Sequence, residues 1–338
     1  MNDSLRYVFL TACRNEAAIL DEFLHEFTEV LRSTNIINRS ICYVVDDLST
    51  DQSVAILEQY RDLGTGVRLE VIHAPTNLGN QGALFYGLSQ IAVGPNDVLI
   101  TFDCDGEDDV RQIPSIVELG RANPGKLVLI ERGRRSESMS FKIAFVSYKL
   151  LFRYLTRQTV IPNNFLLMPG CYAPYIQRTP LAAVHWAYAI LKMRFPSIKI
   201  QRDRRKRYGG RSSQNLFMIA SHGLVGLMVF YEVVIAKLLV LLLSFGGVAL
   251  AILAAAWTLP FNAHVQRPLV WAALAAAGTG SALAALLLSA ALAFLFKMTM
   301  YALSRFSFEA PAAAKRPSVS GMSEPGDVLA GKSDSKAN

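Results

Sequence analysis

The chain has 338 residues, 52% of them apolar and only 18% charged, with a mean hydropathy of +0.28. That is too apolar for one ordinary soluble domain, so part of the chain is expected to lie in lipid, and the abundance of Leu, Ile, Val, Phe and Tyr excludes disorder throughout. The net charge of +7 suits anionic headgroups or a phosphorylated ligand as well as nucleic acid, while Cys13, Cys42, Cys104 and Cys171 form no CxxC pair, which points to neither a zinc site nor a disulfide framework and makes a reducing compartment the expectation.

In chain order, β-rich runs are expected to form strands at 6–11, 41–45, 67–73, 97–102 and 126–130. Between the first two, Leu20, Phe23, Leu24, Phe27, Val30 and Leu31 recur at helical spacing. Ser49 with Gln52 has the signature of a capping box for the next helix. Such alternation predicts an α/β domain whose mostly parallel sheet is covered by helices. No cleavable leader is expected, because Asp3 and Arg6 fall in the first stretch and Arg14, Asn15 and Glu16 break the next.

Polar residues follow each strand: Asn15 and Glu16 after the first, Asp46 and Asp47 after the second, Asn77 with Gly79 and Gly82 after the third. Asp103 and Asp105 follow the fourth, and Glu131, Arg132 and Arg135 the fifth. Polar groups gathered at the carboxyl ends of parallel strands make a ligand crevice. Asp103, Asp105 and Glu107, after a buried strand, are alternate carboxylates that can share a divalent cation, and oxygen donors suit Mg2+ or Mn2+. Such a metal bridges a diphosphate and neutralises the charge it develops as a leaving group. Asp46 and Asp47 can accept hydrogen bonds from a nucleobase or ribose, or act as helix N-terminal acids complementing the dipole, and the two roles are compatible. The arginines at 132, 134 and 135 and the basic cluster at 202–211 are phosphate-binding types; a solvated or lipid-facing basic patch is the alternative for the second cluster. Nucleic acid is not expected beside membrane segments without exposed aromatics or a reading helix.

The last third is apolar. Residues 213–237 are expected to form juxtamembrane amphipathic helices, with a helix packed into the domain as the alternative. The runs 238–257 and 269–296 carry no charge over 20 and 28 residues and are expected to be two transmembrane helices. Only Arg267 among basic residues lies between them, whereas Lys and Arg flank both outer ends, so both termini and the large domain, 1–212, are placed in the cytosol. The tail at 309–338 is expected to be disordered. Gly278 and Gly280 in the second span permit close helix approach and motivate a homo-oligomer.

Taken together these residues resemble the membrane-anchored polyprenyl-phosphate glycosyltransferases of family 2, the inverting GT-A type related to dolichyl-phosphate mannose synthase and bactoprenol glucosyltransferase. Arg14-Asn15-Glu16 resembles the family's Asn-Glu motif, and Val45-Asp46-Asp47-Leu48-Ser49-Thr50-Asp51 its Val-Asp-Asp-x-Ser-x-Asp motif. Asn77-Leu78-Gly79 resembles the Asn-x-Gly segment, and Asp103-Cys104-Asp105-Gly106-Glu107-Asp108 the Asp-x-Asp-x-Gln-Asp pattern, with Glu for Gln. Arg132 and Arg135 keep the Arg-x-x-Arg spacing, and Arg207 to Ser212 resembles the loop before the anchor. Departures are Asp109 and Val110 where prolines are usual, and Asn163-Asn164-Phe165-Leu166 in place of Gly-Asp-Phe-Arg.

The resemblance implies transfer of one sugar from a UDP- or GDP-sugar to polyprenyl phosphate at the bilayer. Asp105 and Arg132 would be catalytic, and Asp103, Asp105 and Glu107 would hold Mg2+ or Mn2+. Glu16, Asn15, Asp46, Asp47 and Asn77 would bind the nucleotide, and Arg132, Arg135, Arg207 and Ser212 the acceptor phosphate. An acceptor phosphate is already anionic, so attack needs no general base. Two alternatives stay open: transfer to a lipid hydroxyl, with Asp108 or Asp109 as base, and a catalytically silent membrane-tethered partner that binds nucleotide sugar.

Overall fold

The computed structural model describes residues 5–62, 66–132, 139–159, 163–202, 205, 223–227 and 229–258, and scattered positions in 271–296. Seven strands form one sheet in the order β3-β2-β1-β4-β6-β5-β7. They are β1 (Tyr7–Cys13), β2 (Ser40–Asp46), β3 (Arg68–His73), β4 (Val98–Thr101), β5 (Leu127–Arg132), β6 (Leu166–Pro169) and β7 (Ser197–Arg202). All five expected strands are present. β6 and β7 were not expected, and β6 runs antiparallel to both neighbours while every other pairing is parallel.

The central strands of the sheet are buried on both faces, as a mostly parallel sheet requires. One face carries Tyr7, Phe9, Cys42, Val44, Ile100, Val128 and Leu167 against helices α1 (Ala17–Ser33), α2 (Ser53–Asp62) and α4 (Ile113–Ala122). Alternate residues of the same strands, Val8, Leu10, Ile41, Val45, Leu99 and Met168, face α3 (Gly79–Gln90), α5 (Met139–Thr156), α6 (Ala173–Gln177), α7 (Leu181–Val184) and α8 (Trp186–Met193). Helix α1 forms as its periodicity predicts, with Leu20, Phe23, Leu24, Phe27 and Leu31 all in the core.

The capping box does not form. Helix α2 begins only at Ser53, because the Ser49 hydroxyl accepts the Asn15 N–H instead and Asp51 accepts that of Ser53. Helix α9 (Tyr231–Thr258) contains the whole of the first expected span. Among the described residues, however, no helix is long and apolar enough to cross a membrane. Of the juxtamembrane stretch, 223–227 is a helical turn and 213–222 lies outside the described residues, as does the tail.

Candidate active site

The chain winds from β1 outward to β2 and β3, then returns to place β4 on the other side of β1. The carboxyl ends of β1, β2 and β4 therefore meet at a topological switch point, where open α/β sheets bind ligands. Asn15, Glu16, Asp46, Asp47, Asp103 and Asp105 all leave the sheet at this edge.

The loops after β1 and β2 are stitched together. The Asn15 side-chain oxygen accepts the Thr50 N–H at 2.7 Å, the Glu16 N–H donates to the Ser53 hydroxyl at 2.9 Å and the Ala17 N–H to Asp51 at 3.0 Å. Asn15 adopts φ 54° to make the turn, a conformation Asn tolerates better than most residues. The Asn15 side chain thus ties the two loops.

Asp46 and Asp47, adjacent and both buried at 4% and 2% exposure, do different things. Asp46 accepts the Ser49 N–H at 3.1 Å and lies 3.7 Å from His73 Nδ1 on the neighbouring strand. Asp47 reaches the first turn of α3 and accepts the N–H groups of Leu78 at 2.6 Å and Gly79 at 2.8 Å. Asp47 thus acts as a helix N-terminal acid, on α3. Asn77 also serves that turn, accepting the Gly79 N–H at 3.2 Å, and Gly79 sits at φ 69°, where a side chain would be strained.

Beyond β4, Asp103 is gripped by two amides on one oxygen, from Asn80 at 2.9 Å and Asn164 at 3.1 Å. Its own N–H donates to Asp108 at 2.9 Å. Asp105 accepts the Glu107 N–H at 2.9 Å across the turn that Gly106 makes at φ 80°. Between them Cys104 is buried and donates to the Ala12 carbonyl. Its hydrogen bond with Cys13, and burial, push its thiol well above the ordinary value.

No group of three or more His, Cys, Asp or Glu among the described residues is arranged to hold a metal ion. A pair of carboxylates is nevertheless the donor set Mg2+ takes beside substrate phosphates, and partly exposed Asp103 and Asp105 fit that chemistry. The base candidates of the hydroxyl-acceptor alternative are engaged elsewhere. Asp108 is 3% exposed and holds the Asp103 N–H, and Asp109 makes two 2.8 Å hydrogen bonds with Arg111.

The two basic clusters touch at one pair of strand positions. Arg132 ends β5 and pairs in register with Arg202 at the end of β7, at the same edge of the sheet as Asp103 and two strand spacings, roughly 10 Å, from β4. The Arg132 side chain and Arg135, Arg207 and Ser212 lie outside the described residues. Arg205 is bound to Glu26 of α1 at 2.6 and 2.9 Å. Sequence reasoning missed Asn80; its only signal is the position three residues after Asn77. Asn164 stood out as a departure, and its grip on Asp103 needed the antiparallel β6 to be seen.

A family model described as glycosyl transferase family 2 matches residues 9–178. The uncharacterized glycosyltransferase YkoT of Bacillus subtilis (strain 168) is 25% identical over 226 residues, 64% of this chain; the chain spans 65% of the length of that relative. Among solved structures, a mannosyltransferase from Pyrobaculum calidifontis in complex with GDP-Man and Mn2+ is 17% identical with a TM-score of 0.48, covering 89% of this chain and 85% of that one. Glucosyl-3-phosphoglycerate synthase from Mycobacterium tuberculosis, in complex with Mn2+, UDP-glucose and phosphoglyceric acid, is 13% identical with a TM-score of 0.47, covering 68% and 79%.

Proposed function

The chain belongs to glycosyl transferase family 2, and from that premise we propose that it transfers one sugar, with inversion, from a UDP- or GDP-sugar to polyprenyl phosphate at the cytoplasmic face of a membrane. The observation that carries this reading is the spacing of the strand ends: the acidic turn after β4 lies at the same sheet edge as arginine positions 132 on β5, roughly 10 Å away, and 202 on β7, roughly 14 Å away. One end suits a metal-bound diphosphate and the other an acceptor phosphate.

In this mechanism Asp103 and Asp105 would hold Mg2+ or Mn2+, which when bound offsets the charge developing on the departing diphosphate. Asn80 and Asn164 fix the Asp103 carboxylate, so its orientation is set before substrate arrives. Glu16 and Asp46 face the nucleoside, and Asp47 and Asn77 support them by holding the start of α3. Arg132, Arg135, Arg207 and Ser212 are assigned to the acceptor phosphate, whose anionic oxygen attacks without proton removal. The engagement of Asp108 and Asp109 in structural bonds agrees with a reaction that uses no base.

The membrane part of the proposal, two spans with both termini cytosolic, draws on the uncharged runs 238–257 and 269–296. It is supported by the exposure of Val240, Leu243, Val248 and Leu250 on α9, apolar side chains that water would not stabilise. A homo-oligomer through the second span belongs to the same proposal.

The test is transfer of label from a panel of UDP- and GDP-sugars to polyprenyl phosphate, read as organic-extractable product, with purified protein, Mg2+ or Mn2+, and Asp105→Asn as control. Product that vanishes in the control is expected. Nucleotide binding with no product from any donor would instead favour a silent partner.

A further inference from the structure

Helix α5 has two apolar faces, and only one of them is in the core. On the inner face Phe152 is fully buried against Tyr188 at 5.0 Å and Phe230 at 5.5 Å between ring centres. On the outer face Val146, Leu150 and Tyr154, spaced i, i+4, i+8, form a row at 54%, 64% and 70% exposure, and Leu151 flanks it. A helix that meets only water and its own domain turns such residues inward.

The charges beside this row are of one sign. Lys149, Arg153 and Arg157, again four apart, are exposed along its edge, and α5 contains no Asp or Glu. The Lys149 ammonium sits over the Phe145 ring, 4.7 Å from its centre, which holds the cation beside the apolar row.

The row is continuous with α9. Lys237 of α9 donates to the Tyr154 carbonyl and lies 4.9 Å from its ring centre, and the Tyr148 hydroxyl donates to the Gly223 carbonyl at 2.8 Å. One turn beyond Lys237, the exposed Val240 and Leu243 extend the same apolar surface.

We propose that this face of α5 lies in the headgroup region of an anionic bilayer, with Val146, Leu150 and Tyr154 at the acyl boundary and Lys149, Arg153 and Arg157 on lipid phosphates. This rests on the membrane reading of α9 given above. Apolar contact with cationic flanks is the pattern that binds an anionic interface. A second copy meeting the same face would set one basic row against another without an acid between them. Held there, α5 fixes the catalytic domain against the bilayer at a second point, on the helix that follows the Arg132 strand.

The test uses the full chain with Cys171→Ser, reconstituted in vesicles of phosphatidylcholine and phosphatidylglycerol. An environment-sensitive nitrobenzoxadiazole label is placed in turn at Leu150→Cys, at Leu243→Cys, and at Glu118→Cys on α4, across the sheet from α5. Expected is a blue shift and quenching by spin-labelled lipid at 150 and 243 but not at 118, with the signal at 150, unlike that at 243, lost when phosphatidylglycerol is omitted. A label at 150 that stays in water while 243 is embedded overturns the inference and leaves the membrane reading standing. Labels at 150 and 243 that both stay in water overturn both. A blue shift at 150 that appears without lipid and grows with protein concentration also overturns it, because another copy then covers the row.

Discussion

Replacing Asp47 by Ala should cost stability, whereas replacing Asp46 should cost nucleotide affinity. The Asp47 carboxylate is 2% exposed and accepts two N–H groups at the start of α3. Water cannot replace it there, and each charge-assisted bond of this kind contributes about 1.5–3 kcal/mol. A further 0.3–1 kcal/mol or so comes from an anion at a helix N-terminus. Because the two bonds share one group and caps measured singly contribute about 1 kcal/mol, the low end applies, and Asp47→Ala should lose about 3 kcal/mol. For a domain of this size that lowers Tm by about 6–12 °C. Asp46→Ala removes one bond, to the Ser49 N–H, and should lose only about 1 kcal/mol. Thermal unfolding followed by far-UV circular dichroism, with and without UDP or GDP, separates the two. A nucleotide bound only by the folded chain raises Tm, so Asp47→Ala should start low and still respond to nucleotide, while Asp46→Ala should start near wild type and respond weakly. An Asp47→Ala protein that melts within 2 °C or so of wild type would refute the capping argument.

Three further outcomes are expected. A Cβ at Gly87 would lie 2.4 Å from Val45 and 2.8 Å from Leu10, so Gly87→Ala should overpack α3 against the sheet and cost about 1–3 kcal/mol, measurable in the same melts. Burial alone would raise the Asp109 carboxyl, but the hydrogen bonds and charge of Arg111, with Arg205 behind it, hold it below the ordinary value. A depressed folded pKa contributes stability above the unfolded value that is lost as pH falls through the folded one, so the Tm gap between wild type and Arg111→Ala should be widest near neutrality and close in acid. Of the four cysteines only Cys171 is exposed, and burial pushes the Cys42 thiol up to about 12, so a thiol reagent should modify one site quickly in the native protein and all four after denaturation.

The five expected strands were legible because each is a short apolar run closed by polar residues, and each lies within about two residues of the observed element. β6 was not, since its first three residues are buried on both faces of the sheet, without polar alternation, and it ends at Pro169. β7 does alternate, with Ile198 and Ile200 partly buried between exposed neighbours, but it runs into the basic cluster, whose charge masks the pattern. The site was legible as a set of residue types after strands, not as a division of labour. Nothing in the pair Asp46-Asp47 says which carboxylate caps a helix thirty residues on, because that depends on how β2 and α3 meet. The Ser49 signature failed for a related reason, as a partner from the first loop outcompeted the local cap.

The reversed strand β6 has a consequence for the order of folding. Asn164 lies 61 residues after the carboxylate it grips, and it reaches Asp103 only once β6 has entered the gap between β4 and β5. Contacts this distant in sequence form after local ones, since a large loop must close first. During synthesis the β1–β4 half, complete with the acids proposed for the nucleoside, can therefore collapse before the acidic turn has its final geometry. Under the proposed assignments a nascent chain should bind nucleotide before it can align a metal, so that reactivity toward an activated sugar waits for the last strands of the sheet.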